Sequence, residues 1–352
     1  MAKALFETSF LQDTLHASEI IPQQRTLQNG VTVDVVQRGV IKVSPAHLSE
    51  NAVISDKDQQ KYLVLSSAIH GNETAPIEII DDIVTQILKQ TLTPAHHLLL
   101  IIAHPQAILA KQRFIDTNLN RLFADCNYAP SIESDLADSL KVSVSQFWED
   151  VPIKARWHLD MHCSIRASQH YTFAISPHSA YPTRNEAFIE FLQQGQIEAL
   201  LLSDEPSSTF SWFSASYFGA QSATVELGQV AEFGHNDMQR LSKFQTALIN
   251  FIQDHATTNR YPMTTYQVSR SIYRQHQDFE FYFDKALPNF SSFALGEALG
   301  KSGTQTLLMD VEQGCVVFPN PNVELTQRAA LIVQPCATQY VNHQLMIRST
   351  ST

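Results

Sequence analysis

Between Tyr62 and Ile87 the chain changes its apolar period, and that change restricts the fold more than any other feature. Leu63 to Ile69 is a near-continuous apolar run, the pattern of a strand buried in a parallel or mixed sheet. Ile79, Ile80, Ile83 and Ile87 then recur at helical spacing, with Pro76 suited to a first helical turn. A buried strand followed by an amphipathic helix needs neighbouring strands and a second layer to cover it.

The pattern repeats downstream. Strands are expected at 98–102, 156–161, 171–175 and 223–227, and helices at 183–194 and 236–255. The second helix carries Leu241, Phe244, Leu248 and Phe251 on one face. Upstream, Val31, Val33 and Val35 alternate, Arg38-Gly39 turns the chain, and Val40-Ile41-Lys42-Val43 returns it as a hairpin. This alternation predicts an α/β fold, a mixed sheet flanked by helices with ligands gathered at strand ends. Near Arg260-Tyr261-Pro262 the texture shifts to short extended runs and turns such as Pro319-Asn320-Pro321-Asn322. The expected division is an α/β domain over residues 1–260, lead-in hairpin included, and a smaller, mostly β domain over 261–352.

Composition narrows the function. The 352 residues carry a formal net charge of -11, which leaves no basic excess to neutralise the phosphates of a nucleic acid. Cys126, Cys163, Cys315 and Cys336 show no Cys-x-x-Cys spacing, so neither a zinc knuckle nor a dithiol pair is suggested. Sparse cysteine fits a reducing compartment. Met1-Ala2-Lys3-Ala4-Leu5-Phe6-Glu7 places charge where a signal peptide needs an apolar core, and no apolar run approaches the roughly 20 residues of a membrane span. The expected location is the cytoplasm, with no membrane partner.

Chemistry is concentrated at the end of the first buried strand. Ser67-Ala68-Ile69-His70-Gly71-Asn72-Glu73 sets an imidazole and a carboxylate three residues apart, aimed beyond the strand's carboxyl end. Two ligands need a third, and His158-Leu159-Asp160-Met161-His162 offers it. Positions 158, 160 and 162 share one face of a strand, so Asp160 and His158 can reach groups near His162. Two imidazoles and one carboxylate leave a position for water, as in hydrolytic zinc sites. Each histidine alone is more often a surface or packing residue. His96-His97 and His104 have no carboxylate at matching spacing.

Hydrolysis also needs a base held close without ligating. Glu226 interrupts the apolar run Ala223-Thr224-Val225-Glu226-Leu227-Gly228, where a lone buried carboxylate is costly without a partner; a strand-end glutamate facing solvent is the alternative. Arg113 and Arg121 bracket the polar loop Arg113-Phe114-Ile115-Asp116-Thr117-Asn118-Leu119-Asn120-Arg121. Guanidinium groups grip carboxylates bidentately and can stabilise an oxyanion, while a surface ion pair accounts for either arginine as well.

Taken together, His70-x-x-Glu73, Arg113, Asn120-Arg121, His162 and Glu226 resemble the succinylglutamate desuccinylase/aspartoacylase branch of the zinc carboxypeptidase superfamily. The branch motif stands here as His70-Gly71-Asn72-Glu73-Thr74-Ala75-Pro76-Ile77-Glu78. The resemblance runs from about residue 30 to residue 335. Ile165-Arg166, Phe233-Gly234-His235-Asn236-Asp237 and Phe318-Pro319-Asn320-Pro321 are more similar to its desuccinylase members. The resemblance implies one Zn2+ held by His70, Glu73 and His162, with Glu226 as general base and proton shuttle. It implies that Arg113 polarises the scissile carbonyl and that Asn120 with Arg121 holds a substrate carboxylate, with Arg166 for a second. The implied substrate is a small anionic N-acyl amino acid, and the implied reaction hydrolyses N-succinylglutamate to succinate and glutamate in arginine catabolism. An aspartoacylase-like deacylase and a non-catalytic zinc- or small-molecule-binding module remain as alternatives. Two positions depart from the family pattern: Asn118 stands where Asp is usual, and His104-Pro105 where Asn-Pro is typical.

Overall fold

The computed structural model describes residues 5–6, 8–17, 19–46 and 60–348. The chain enters through helix α1 (Phe10–His16) and three antiparallel strands, β1 (Gln23–Thr26), β2 (Thr32–Gln37) and β3 (Val40–Ser44). Strand β4 (Tyr62–Ser67) leads into α2 (Thr74–Leu88), then β5 (His97–Ile102) into the short α3 (Pro105–Leu109). A 3-10 turn at Leu119–Arg121 and helix α4 (Ile132–Phe147) precede β6 (Arg156–Ser164) and β7 (Thr172–Ser176). Next come α5 (Glu186–Gln194), β8 (Ala199–Leu202), α6 (Phe210–Phe218), β9 (Gln221–Gln229) and α7 (Ser242–Ile252).

From residue 261 onward the described regular elements are strands. They are β10 (Thr264–Tyr273), β11 (Phe279–Phe281), β12 (Ser291–Ser292), β13 (Ala298–Ser302) and β14 (Gln305–Leu308). After them come β15 (Cys315–Val317), β16 (Arg328–Pro335), β17 (Thr338–Val341) and β18 (Gln344–Ile347). Among the described residues thirteen strands form one mixed sheet, ordered β1-β2-β3-β5-β4-β6-β9-β7-β8-β10-β16-β15-β12. β8 pairs in parallel with β10, Ala199 opposite Thr264. The sheet therefore crosses residue 260 without a break, and the β-rich C-terminal part is stitched to the α/β part by backbone hydrogen bonds.

The parallel core explains the apolar run from Leu63 to Ile69. Leu63 and Leu65 face a cluster built with Ile80, Ile83 and Trp157, whereas Val64 faces one built with Leu99, Leu140 and Val144. Helices cover both faces of β4, so no residue of its centre can afford polarity unless the polarity is paired. The α/β class and the hairpin stand as expected.

Boundaries differ in two helices. α5 begins at Glu186, because Asn185 accepts a hydrogen bond from Phe188 N and caps it. α7 spans only Ser242–Ile252, because residues 238–241 form a turn before it and Asp254 takes a left-handed φ of 55° just after it. The helices α4 and α6 and the strand β8 are additions that the sequence reading did not contain.

Candidate active site

β4, β6 and β9 lie side by side in parallel, so their carboxyl ends open at the same edge. His162 on β6 stands opposite Glu226 on β9. After β4, Ala68 takes a left-handed φ of 55° and swings His70 into the same space. Gly71 lets this loop touch α3, since a Cβ there would fall 2.2 Å from the Ala107 carbonyl carbon. Glu73 sits at the N-cap of α2 but makes no capping bond with its side chain. The carboxylate is spent on the site instead.

His70, Glu73 and His162 are buried, and one donor atom from each lies within 4.8 Å of the others. The two Nδ1 atoms are 3.2 Å apart, and they approach Glu73 Oε1 and Oε2 at 2.9 Å and 2.8 Å. The opposite ring nitrogens are already engaged. His70 Nε2 is 2.9 Å from Asn118 Oδ1, and His162 Nε2 is 3.1 Å from Asp160 Oδ2. Both acceptors lack a proton to give: Asn118 Oδ1 also accepts from Asn120 N, and Asp160 Oδ1 accepts from Ser66 Oγ. Each imidazole therefore carries its proton on Nε2, and the two Nδ1 lone pairs converge on one carboxylate. Two imidazole nitrogens and a carboxylate converging in this way fit a divalent cation of the zinc type.

A buried relay fixes this arrangement from below. Ser66 Oγ donates to Asp160 and receives His158 Nε2–H at 2.9 Å, and His158 Nδ1 accepts from Ser214 Oγ at 2.7 Å. Burial pushes His158 down to about 4, with Asp160 opposing, so it stays neutral. The expectation that 158, 160 and 162 share a face holds, and all three serve one network.

Glu226 opens on the same cavity of about 320 Å³ as the His/Glu/His cluster. It is 7% exposed, and its nearest hydrogen-bond donor is Ser164 Oγ at 3.5 Å. Burial, with Glu73 and Asp160 adding to it, pushes its pKa up to about 7 against the pull of His162 and Arg113. A carboxyl group so placed exchanges a proton near neutral pH. Arg113 donates to Glu73 Oε1 at 2.5 Å, which places a guanidinium beside the His/Glu/His cluster. Asn120 is buried; its Oδ1 accepts from Phe210 N at the start of α6, and its Nδ2 lies 3.4 Å from His162 Nε2. Arg121 lines the cavity and donates to the Asn120 carbonyl.

Arg166 also lines the cavity, but its guanidinium is committed to main-chain carbonyls of Lys285, Leu287 and Pro319. It clamps loops of the C-terminal part to the site rather than standing free in it.

Residues 59–252 match the family described as the succinylglutamate desuccinylase/aspartoacylase catalytic domain, and residues 261–336 match the AstE/AspA barrel-sandwich hybrid domain. The chain belongs to the succinylglutamate desuccinylase/aspartoacylase family. Within that family it is 45% identical to the succinylglutamate desuccinylase of Vibrio vulnificus (strain YJ016), over 98% of this chain and 99% of that one. The solved structure of the Vibrio parahaemolyticus desuccinylase superposes with a TM-score of 0.93 at 42% identity, covering 98% of this chain and 100% of that one. The Chromobacterium violaceum enzyme gives 0.79 at 28% identity, over 94% and 98% of the two chains.

Beside the sequence-derived candidates, this family member brings in residues that the motifs did not announce. His104, which had no partner in the sequence, is fully buried with Nε2 3.0 Å from Glu133 Oε1. Glu133 in turn accepts the backbone N–H groups of Ile115, Asp116 and Thr117, and so holds the loop that carries Arg113 and Asn118. Glu133 stands in the first turn of α4, where an acidic residue is ordinary, so the sequence held no signal for it. Arg328, from the C-terminal strands, also faces the cavity.

Proposed function

We propose that this chain is a metal-dependent hydrolase that cleaves N-succinyl-L-glutamate to succinate and L-glutamate, the last step of the arginine succinyltransferase route. The observation that carries it is the meeting of His70, Glu73, His162 and Glu226 in one cavity that Arg113 and Arg121 also enter. The desuccinylase relatives support the choice of acyl group. A cytoplasmic location and a division near residue 260 into catalytic and C-terminal parts belong to the same reading. No helix among the described residues is long and apolar enough to cross a membrane.

His70, Glu73 and His162 are the residues that would hold one zinc ion. Zinc bound there would acidify a water molecule and polarise the scissile carbonyl. Glu226 takes the proton of the attacking water and returns it to the departing glutamate nitrogen. A pKa raised toward neutrality matches that double role, because the carboxylate first accepts the proton and then, as the acid, releases it to the nitrogen. Arg113 donates to the carbonyl oxygen as negative charge builds on it. Arg121, with Asn120, holds a substrate carboxylate, and Arg166 keeps the cavity wall in place near a second. Three carboxylates on the substrate suit a cationic interior despite the acidic surface.

The test is metal analysis combined with succinate release from N-succinylglutamate, with and without a chelator, and with N-acetylaspartate in parallel. Chelator-sensitive release from the succinyl substrate is the expected result. Faster turnover of N-acetylaspartate would move the assignment to an aspartoacylase-like activity, and bound metal without hydrolysis would make the chain a binding module. Glu226→Gln is expected to retain metal and lose about 10²–10⁴-fold in turnover.

A further inference from the structure

At its first residues β16 carries one residue more than the end of β10 opposite it. Ile272 of β10 pairs with Ala330, yet the next residue, Tyr273, pairs with Arg328. Ala329 is therefore a β-bulge, and both Ala329 and Ala330 lie in the same apolar cluster with Ile272 and Leu299. Regular alternation from Leu331, which lines the cavity, would bring residue 329 to the cavity face and turn residue 328 away. The bulge reverses this and brings Arg328 to the cavity wall beside Leu331. Bulges next to active sites commonly re-aim a side chain in this way.

Among the described residues the re-aimed guanidinium has no protein acceptor. No carboxylate among the described residues comes within 4.0 Å of Arg328, and no hydrogen bond of its side chain is present. Glu205 is the carboxylate whose field reaches it, but Glu205 Oε2 is turned to Ser271 Oγ at 2.7 Å and Tyr273 Oη at 3.4 Å. Arg121 differs in having one bond, to the Asn120 carbonyl, but among the described residues it too has no ion pair. Burial pushes the pKa of both side chains down, and at Arg121 the charges of Arg328 and Arg113 add to it. Guanidinium groups stay charged in proteins, so two neighbouring half-buried cations without an anion repel each other unless a ligand supplies one.

We propose that Arg328 is a substrate-binding residue and that its guanidinium, together with that of Arg121, seats one carboxylate of the acyl amino acid. The proposal rests on the functional reading above for the identity of the substrate. It makes the C-terminal strands part of the recognition site rather than a wall around it. It also gives the Ala329 bulge its purpose.

Calorimetric binding of succinate and of L-glutamate to the wild-type protein, R328Q and R328K tests it, with melting temperatures to confirm that each variant is folded. R328Q is expected to weaken one of the two anions by roughly tenfold or more and to leave the other within about twofold, as befits loss of a charge-assisted bond. R328K should recover part of the loss, because it restores charge without the planar fork. In the activity assay, KM for N-succinylglutamate should rise more than kcat falls. Equal weakening of both anions, or of neither, overturns the proposal. A wild-type protein that binds the anions yet releases no succinate sinks the functional reading while leaving the role of Arg328 measurable.

Discussion

Asp160 Oδ2 stands 3.1 Å from His162 Nε2, and this contact within one strand turns His162 Nδ1 toward Glu73. Strand geometry makes it available, since residues two apart project to the same face. His162 has one ring nitrogen held from behind and the other presented to the cavity.

Asp160→Ala removes that hold and strips Ser66 of its acceptor. Metal affinity is expected to fall about 10–100-fold, the usual cost of losing a carboxylate behind a ligating histidine. Competition with a chromogenic chelator reads the loss directly. Undiminished affinity would show that packing alone orients the ring.

The other histidine has a neutral partner. Asn118 Oδ1 accepts from His70 Nε2, where a carboxylate would add charge behind the imidazole and strengthen its donor character. Asn118→Asp is expected to tighten metal binding by about tenfold in the same competition. Weaker retention of metal in this variant would contradict the account.

Gly71→Ala tests the close approach of the site loop to α3. The added Cβ would lie 2.2 Å from the Ala107 carbonyl carbon and 2.4 Å from Ile108 N, backbone atoms that cannot rotate aside. The expected cost is about 1–3 kcal/mol of stability, with loss of metal occupancy as His70 and Glu73 shift. Denaturant unfolding and metal analysis measure the two effects, and wild-type values in both would refute the constraint.

Glu133 gives the fold an acid-sensitive anchor. Burial alone would raise its pKa, but His104 and the N–H groups of Ile115 and Asp116 outweigh it and hold the carboxyl below its ordinary 4.5. Because the folded-state pKa is depressed, the ionised group contributes stability above pH 4.5 that is lost as the pH falls through the folded value. Glu133→Gln is expected to be less stable than wild type near neutrality, with the difference shrinking below that pH. A constant difference across the acid range, measured by urea unfolding, would exclude Glu133 as the titrating anchor.

How much of this was legible in the chain varies by element. His70, Glu73, His162 and Glu226 were found because each stands at or near the end of a strand whose apolar pattern is local and strong. Their convergence follows from parallel pairing, which the alternation of strand and helix implied. Arg166 was placed by its neighbourhood to His162, yet its guanidinium is drawn to the carbonyls of Lys285, Leu287 and Pro319, more than a hundred positions away. His104 looked unpartnered because Glu133 reaches it from a helix 29 residues on.

The sequence by itself determined the α/β class, the buried central strand and the donor types at its end, since periodicity and burial act over a few residues. Only the tertiary structure decided which nitrogen each histidine presents, which arginines are free and which are tied. It alone showed that β10 and β16 extend the sheet to bring Arg328 to the cavity. Those outcomes depend on register, and a single extra residue at Ala329 changes which side of the strand a charge occupies. No short window of sequence encodes that, because the partner strand sets the count.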